Sequence, residues 1–158
     1  MEVFFYKTTI GYIGIEENGT AITRIFFPSK GQDINCGKET ELIQEAGNQL
    51  EEYLTGRRRQ FDLPLAPKGT EFQKAVWNAL LEIPYGETRS YKQIAEQIGN
   101  PKAMRAVGLA NNRNPIVIVI PCHRVIGTDG RLVGYGGGVE LKQKLLLLER
   151  HEGVAIDG

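Results

Sequence analysis

The chain has 158 residues, 41% hydrophobic and 24% charged, and its 19 basic and 19 acidic side chains cancel. That is an ordinary globular composition, long enough for one substantial core or two small ones. No stretch approaches the roughly 18 apolar residues of a membrane helix, and the start, Met1-Glu2-Val3-Phe4-Phe5, lacks the basic and apolar regions of a secretory signal. The two cysteines, Cys36 and Cys122, stand far apart and make no disulfide framework, which fits a reducing, cytoplasmic setting. Two histidines and no Cys-x-x-Cys spacing leave too few ligands for a structural zinc.

In chain order, the alternating segments Val3–Ile15 and Ala21–Phe27 flank the turn-like Glu16-Glu17-Asn18-Gly19 and predict an antiparallel hairpin. A polar loop carrying Cys36 follows. Thr40 can cap a helix whose apolar face is Leu42, Ala46, Leu50 and Leu54 and which Gly56 ends. Arg57-Arg58-Arg59 then suits the negative end of that helix better than it suits a nucleic acid. Phe61–Leu65 is expected to return as a strand, and Pro64, Pro67, Lys68 and Gly69 read as a linker. This divides the chain into residues 1–65 and 66–158.

The second part reads as mainly helical. Thr70 and Gln73 form a capping-box pattern before Phe72, Val76, Ala79, Leu80 and Ile83, with Trp77 in the core and Pro84-Tyr85-Gly86 as the stop. Ser90 and Gln93 repeat the pattern before Ile94, Ala95 and Ile98, and Gly99 ends that short helix. Asn100 can cap a third helix with Pro101 at its first position. Ala103, Ala106, Val107 and Ala110 would then face inward, and Lys102, Arg105, Leu109 and Asn112 outward. Two short helices joined by a tight turn, the second small on one face and basic on the other, read as a helix-turn-helix, although helical hairpins in enzymes look alike. Gly108 costs that helix about 1 kcal/mol against Ala, and close approach of another backbone, such as DNA, is one reason to keep it.

Charge supports that reading. Residues 1–62 carry seven Lys/Arg and ten Asp/Glu, whereas residues 85–124 carry Arg89, Lys92, Lys102, Arg105, Arg113 and Arg124 against only Glu87 and Glu96. No acid occurs from Lys102 to Arg124. A basic stretch in a neutral protein suggests an anionic partner, although charge alone would equally describe a solvated face. Next comes Pro115-Ile116-Val117-Ile118-Val119-Ile120-Pro121, a β-branched run expected to be a short strand buried on both faces. It delivers Cys122, followed at once by His123 and Arg124. Apolar burial raises a thiol's pKa, so this sulfur needs a partner to become a nucleophile. Only about ten residues separate it from the basic helix, so its target would be a base, taken out of the stack to be reached.

The run Asn114 to Val125 closely resembles the active-site segment of the O6-alkylguanine-DNA alkyltransferases. So do Tyr85-Gly86-Glu87-Thr88, Ser90-Tyr91, Gly99-Asn100-Pro101-Lys102-Ala103, Arg105-Ala106-Val107-Gly108, Gly134-Tyr135 with Gly137-Gly138, and Leu145-Leu146 with Glu149. The match covers about residues 70–152. It implies an α+β fold: a ribonuclease-H-like sheet-and-helix domain, then a mainly helical domain with a winged helix-turn-helix. It also implies that Cys122 accepts an alkyl group from guanine O6 in one irreversible step, without metal or organic cofactor.

By resemblance, His123 is the base that takes the thiol proton through a water, and Glu149 orients it. A water-bridged link suits an extended segment, on which sequence neighbours point apart. Asn114 resembles the hinge between the strand and the helix-turn-helix. Arg105 resembles the arginine that fills the gap left by the flipped nucleotide, and Tyr91 the tyrosine that crowds the phosphate and bonds the base. Tyr135 resembles a pocket wall, Val125 and Gly136 would offer backbone groups to the guanine edge, and Lys142 would stand near the pocket. Lys102, Gly108, Arg113 and Arg124 fall on or beside the DNA side. The implied partner is double-stranded DNA, met in the minor groove by a monomer. Gly136 and Val133 depart from the commoner serine or alanine and smaller or polar residues, which would alter pocket size. A lesion-binding relative without chemistry would commonly carry tryptophan in place of Cys122. A cysteine hydrolase would have no use for the helix-turn-helix.

Overall fold

The computed structural model describes residues 1–132, 135 and 138–150. The expectations placed on Val133 and Gly136 lie outside them. Three strands, β1 (Glu2–Thr8), β2 (Gly11–Glu17) and β3 (Ile22–Phe26), form an antiparallel sheet in that order. The sequence reading had merged the first two. The turn between them, Thr9-Ile10, carries none of the usual turn residues; it is closed by Thr8, whose Oγ1 accepts from the Ile10 N–H and donates to the Gly11 carbonyl. Gly11 takes a φ of 102°, which a side chain would resist.

Helix α1 (Glu41–Leu54) lies against β1 and β2, with the Thr40 hydroxyl accepting from the Ile43 N–H as expected. Its buried face is Ile43, Ala46, Gln49, Leu50, Tyr53 and Leu54, and Leu42 is only half-buried. Gly56 ends the helix at a φ of 79°, its N–H donating to Tyr53 O while the Arg57 N–H reaches Glu52 O, the Schellman arrangement. The arginine triplet stays local. Arg58 pairs with Glu52 at 3.0 Å, Arg57 donates to Thr55 Oγ1, and Arg59 stands 5.4 Å from the Tyr85 ring centre. Phe61–Leu65 does not return as a strand. One parallel bridge, Leu65 to Ile22, is all that forms, because the next N–H along the ladder would belong to Pro64, which has none.

Helix α2 (Glu71–Leu81) has the full capping box at Thr70 and Gln73, and buried Trp77 donates to the Ala110 carbonyl at 2.9 Å. A two-residue strand β4 (Arg89–Ser90) leads into α3 (Tyr91–Gln97), capped by Ser90 and Gln93, and then α4 (Met104–Asn112). Helix α4 starts later than expected. Asn100-Pro101-Lys102-Ala103 form a β-turn closed by the Ala103 N–H on Asn100 O at 3.0 Å. The fixed φ of proline suits the second place of such a turn as well as the first place of a helix. The buried stripe of the helix is Val107, Ala110 and Asn111, at i, i+3 and i+4, and Ala106 is exposed.

The β-branched run is buried, as expected, but it is not a straight strand. Ile116 bridges to Ile25 at the sheet edge, through Ile25 N–H on Pro115 O and Val117 N–H on Ile25 O. The chain then folds on itself, with Ile118 at a φ of 73° and the Ile120 N–H on Ile116 O. A β-branched residue at positive φ is a genuine outlier. One 3₁₀ turn, Cys122–Arg124, follows, then β5 (Val125–Ile126) parallel to β4, then α5 (Val139–Arg150). Core residues from Ile13 and Leu50 to Trp77, Val107, Ile116 and Leu145 form one continuous cluster, so both parts of the chain share it. Among the described residues no helix is long and apolar enough to cross a membrane.

Candidate active site

Two surfaces meet at the 3₁₀ turn, one open and one closed. The open one is the outer face of α4 with its approach: Lys102, Arg105, Leu109, Asn112 and Arg113 are exposed. Among the described residues none of those three cations is in an ion pair. Gly108 lies on this helix with open space beside it; a methyl group there would meet only the Tyr91 ring, at 3.9 Å. The protein's own packing therefore does not demand glycine at 108.

Cys122 is the closed end. It is 4% exposed, and its backbone N–H is tied to Ile120 O at 2.8 Å. Asn114 organises the approach: its Nδ2 donates to Ile120 O at 2.7 Å and its Oδ1 accepts from the Ile116 N–H at 2.9 Å. Burial pushes the Cys122 thiol up to about 11, against the pull of a hydrogen bond from Asn114 and the nearby Lys142 charge. With its pKa raised so far, very little of the thiol is ionised at neutral pH. The sulfur rests as a thiol.

His123 is fully buried, and Nε2 lies 2.7 Å from Glu149 Oε2. Its Nδ1 is buried without a hydrogen-bond partner among the described residues. Burial lowers its pKa, more strongly than the hydrogen bond and charge of Glu149 raise it. The imidazole is therefore neutral at physiological pH, with the proton on Nε2 facing the carboxylate and a free lone pair on Nδ1.

Glu149, near the end of α5, is where the site converges. Oε1 accepts from Arg124 Nε at 2.8 Å and from the Gly86 N–H at 3.2 Å; Oε2 accepts from His123, from Arg124 Nη2 at 3.0 Å and from the Tyr53 hydroxyl at 2.5 Å. Burial alone would raise this carboxyl, but the hydrogen bond from His123 and the bonds and charge of Arg124 outweigh that and hold it at about 2. Arg124, expected on the DNA side, is instead buried: two nitrogens clamp Glu149 and Nη1 donates to Ile83 O at 2.7 Å. A buried carboxylate needs a paired cation, and Arg124 is the one within reach.

The remaining residues line the thiol. Tyr91 opens α3 half-buried; burial and proximity to Cys122 raise its pKa against a hydrogen bond from Asn111. Asn111 also donates to the Cys122 carbonyl at 3.3 Å. The Tyr135 hydroxyl is buried near Cys122. Lys142 is fully buried, and desolvation lowers it to about 8 against the opposing influence of Cys122. Val125 is buried in β5, its N–H on the Cys122 carbonyl. Among the described residues no group of three or more His, Cys, Asp and Glu side chains is placed to hold a metal ion.

Two family models match, the ribonuclease-like domain of 6-O-methylguanine DNA methyltransferase over residues 3–67 and its DNA-binding domain over residues 71–151. The chain belongs to the 6-O-methylguanine DNA methyltransferase family. A methylated-DNA–protein-cysteine methyltransferase of Methanosarcina acetivorans is 65% identical over 69% of this chain and 70% of that protein. One of Mycobacterium leprae is 59% identical over 90% of this chain and 84% of that protein. The crystal structure of Mycobacterium tuberculosis OGT in complex with DNA superposes with a TM-score of 0.89 at 44% identity, covering 97% of this chain and 95% of that one. The α+β architecture is that of the family.

The structure thus places Asn114, Tyr91, Tyr135 and Lys142 near the sulfur of Cys122 and joins the next residue, His123, to Glu149, with Arg105, Lys102 and Arg113 on the open face. The sequence reading missed Tyr53 and Asn111. Asn111 could have been found from its place four residues after Val107, on the same helix face; Tyr53 gives no local signal, because its partner lies 96 residues away.

Proposed function

We propose that this methyltransferase repairs O6-alkylguanine in double-stranded DNA, with Cys122 as the acceptor. The observation that carries the assignment is a buried thiol next in the chain to a neutral histidine whose Nε2–H is fixed on a carboxylate and whose Nδ1 lone pair no group among the described residues uses. A resting thiol of pKa about 11 needs a base at the moment of attack. Nδ1 of His123 takes the sulfur's proton through a bridging water, and Glu149 stabilises the imidazolium. Sγ attacks the alkyl carbon in line, the S–C bond forming as the C–O6 bond breaks. The electron pair goes to guanine, which ends protonated at N1, so the sulfur's proton is balanced by the one guanine gains. Lys142, charged below about pH 8, favours negative charge on the sulfur. The thioether has no leaving route, and each chain acts once.

Binding follows from the open face. Arg105 occupies the space of the extruded nucleotide, Tyr91 crowds the phosphate, and Lys102 and Arg113 take neighbouring phosphates. Gly108 lets the backbone of the duplex come close. Tyr135 and the backbone of Val125 and Gly136 hold the base. We assign this face to the minor groove, where sequence readout is poor and any damaged site is acceptable. The protein acts as a cytoplasmic monomer. Incubation with a duplex bearing O6-methylguanine, followed by intact mass and peptide mapping, should find one methyl group on Cys122 in stoichiometric amount. Cys122→Ser should bind the same duplex and gain no mass. Unmodified wild-type protein on bound DNA would leave a lesion-binding role in its place.

A further inference from the structure

The phenol of Tyr53 belongs to the first part of the chain, yet it ends inside the relay of the second. Tyr53 is fully buried on α1, its ring 5.4 Å from that of Phe61 and 6.2 Å from that of Tyr85. Its hydroxyl donates to Glu149 Oε2 at 2.5 Å and lies 3.4 Å from His123 Nε2. It shares one carboxylate oxygen with the histidine's N–H. We propose that Tyr53 is a positioning residue of the alkyl-transfer reaction, through which the N-terminal sheet-and-helix part sets the basicity and tautomer of His123.

Three donors converge on Oε2. An ionised carboxylate only accepts, so Tyr53, Arg124 and His123 must each present a hydrogen to it. With the phenol and the guanidinium both donating, Oε2 has less charge left to draw on the imidazole proton. The proton that His123 gains from the thiol then stays on the ring instead of passing to Glu149, and Nδ1 remains the working atom. The phenol also blocks a sideways swing of the carboxylate, because Gly86 and Arg124 hold Oε1 from the other side. The groups facing His123 are Arg124 from its own 3₁₀ turn, Glu149 and Lys142 from α5, and Tyr53 from α1. Among these Tyr53 is the neutral donor, so removing its hydroxyl alters the field without removing a charge.

This inference rests on the alkyl-transfer reading, and its test can be separated from it. The chain has two histidines, so the imidazole nitrogens of His123 can be followed by nitrogen NMR in the free protein. Tyr53→Phe should leave Oε2 a stronger acceptor and move the titration of His123 upward, by roughly half a pH unit or more. The acidic limb of the rate–pH profile for methyl transfer should move up with it by the same amount, so that transfer slows most below neutral pH. Affinity for undamaged duplex should not change. Leu54→Ala, a cavity at the next residue of the same helix, should lower Tm and leave both pH profiles where they are. A His123 titration unmoved in Tyr53→Phe, or moved equally in Leu54→Ala, overturns the proposal. Failure of the unmodified protein to accept a methyl group would instead overturn the transfer reading, whatever the titration shows.

Discussion

Arg105 and Arg124 lie in the same basic stretch, nineteen residues apart, and do opposite work. Arg105 is exposed on α4 and in no ion pair among the described residues. Arg124 is 8% exposed, and all three of its guanidinium nitrogens are taken by Glu149 and Ile83. A cation kept free can serve a phosphate or fill a vacated stack; one clamped on a buried carboxylate can serve only the fold and the relay. On the proposed reading the open face governs whether DNA is held, and the closed side governs whether the sulfur reacts.

The contrast can be broken most severely from the closed side. Glu149→Gln leaves Arg124 buried beside a neutral amide and should destabilise the protein by about 3 kcal/mol, read from urea unfolding at pH 7. Transfer should slow on the order of a hundredfold or more. The stability gap also has a pH signature. Glu149 is held at about 2 in the fold against an ordinary 4.5. Its contribution is complete above 4.5 and fades as pH falls from there towards 2. The unfolding curves of the two proteins should converge across that window; a constant gap would show that the carboxylate's charge is not what is lost. A smaller effect comes from the open face. Arg105→Ala should slow repair of duplex DNA on the order of tenfold while sparing reaction with the free alkylated base. Equal loss on both would place Arg105 with the relay. The smallest is Lys102→Ala, which should weaken binding alike on all sequences and reduce the salt slope of log Kd by about one. An unchanged slope would remove Lys102 from the phosphate contacts.

What could be read in advance follows the range of the interaction. The caps at Thr40, Thr70 and Ser90 span three residues and were legible as sequence patterns; all three form. The turn at Thr9-Ile10 was hidden because a side chain of ordinary strand character, Thr8, closes it. The run 115–121 was legible as buried and not as bent: its burial comes from composition, whereas its fold comes from Ile25 and Asn114. Arg124 and Arg105 look alike as letters and differ only through Glu149. Cys122, His123 and Glu149 were joined by resemblance, and the geometry then supplied Tyr53, which no spacing rule could bring across 96 residues.

The carboxylate of Glu149 ties together chain segments 96, 63 and 26 residues away. Closing such long loops costs entropy that only docked neighbouring elements can repay. On the proposed reading a half-folded chain carries the sulfur without its relay, so base-assisted transfer at Cys122 requires that all of these distant segments have docked.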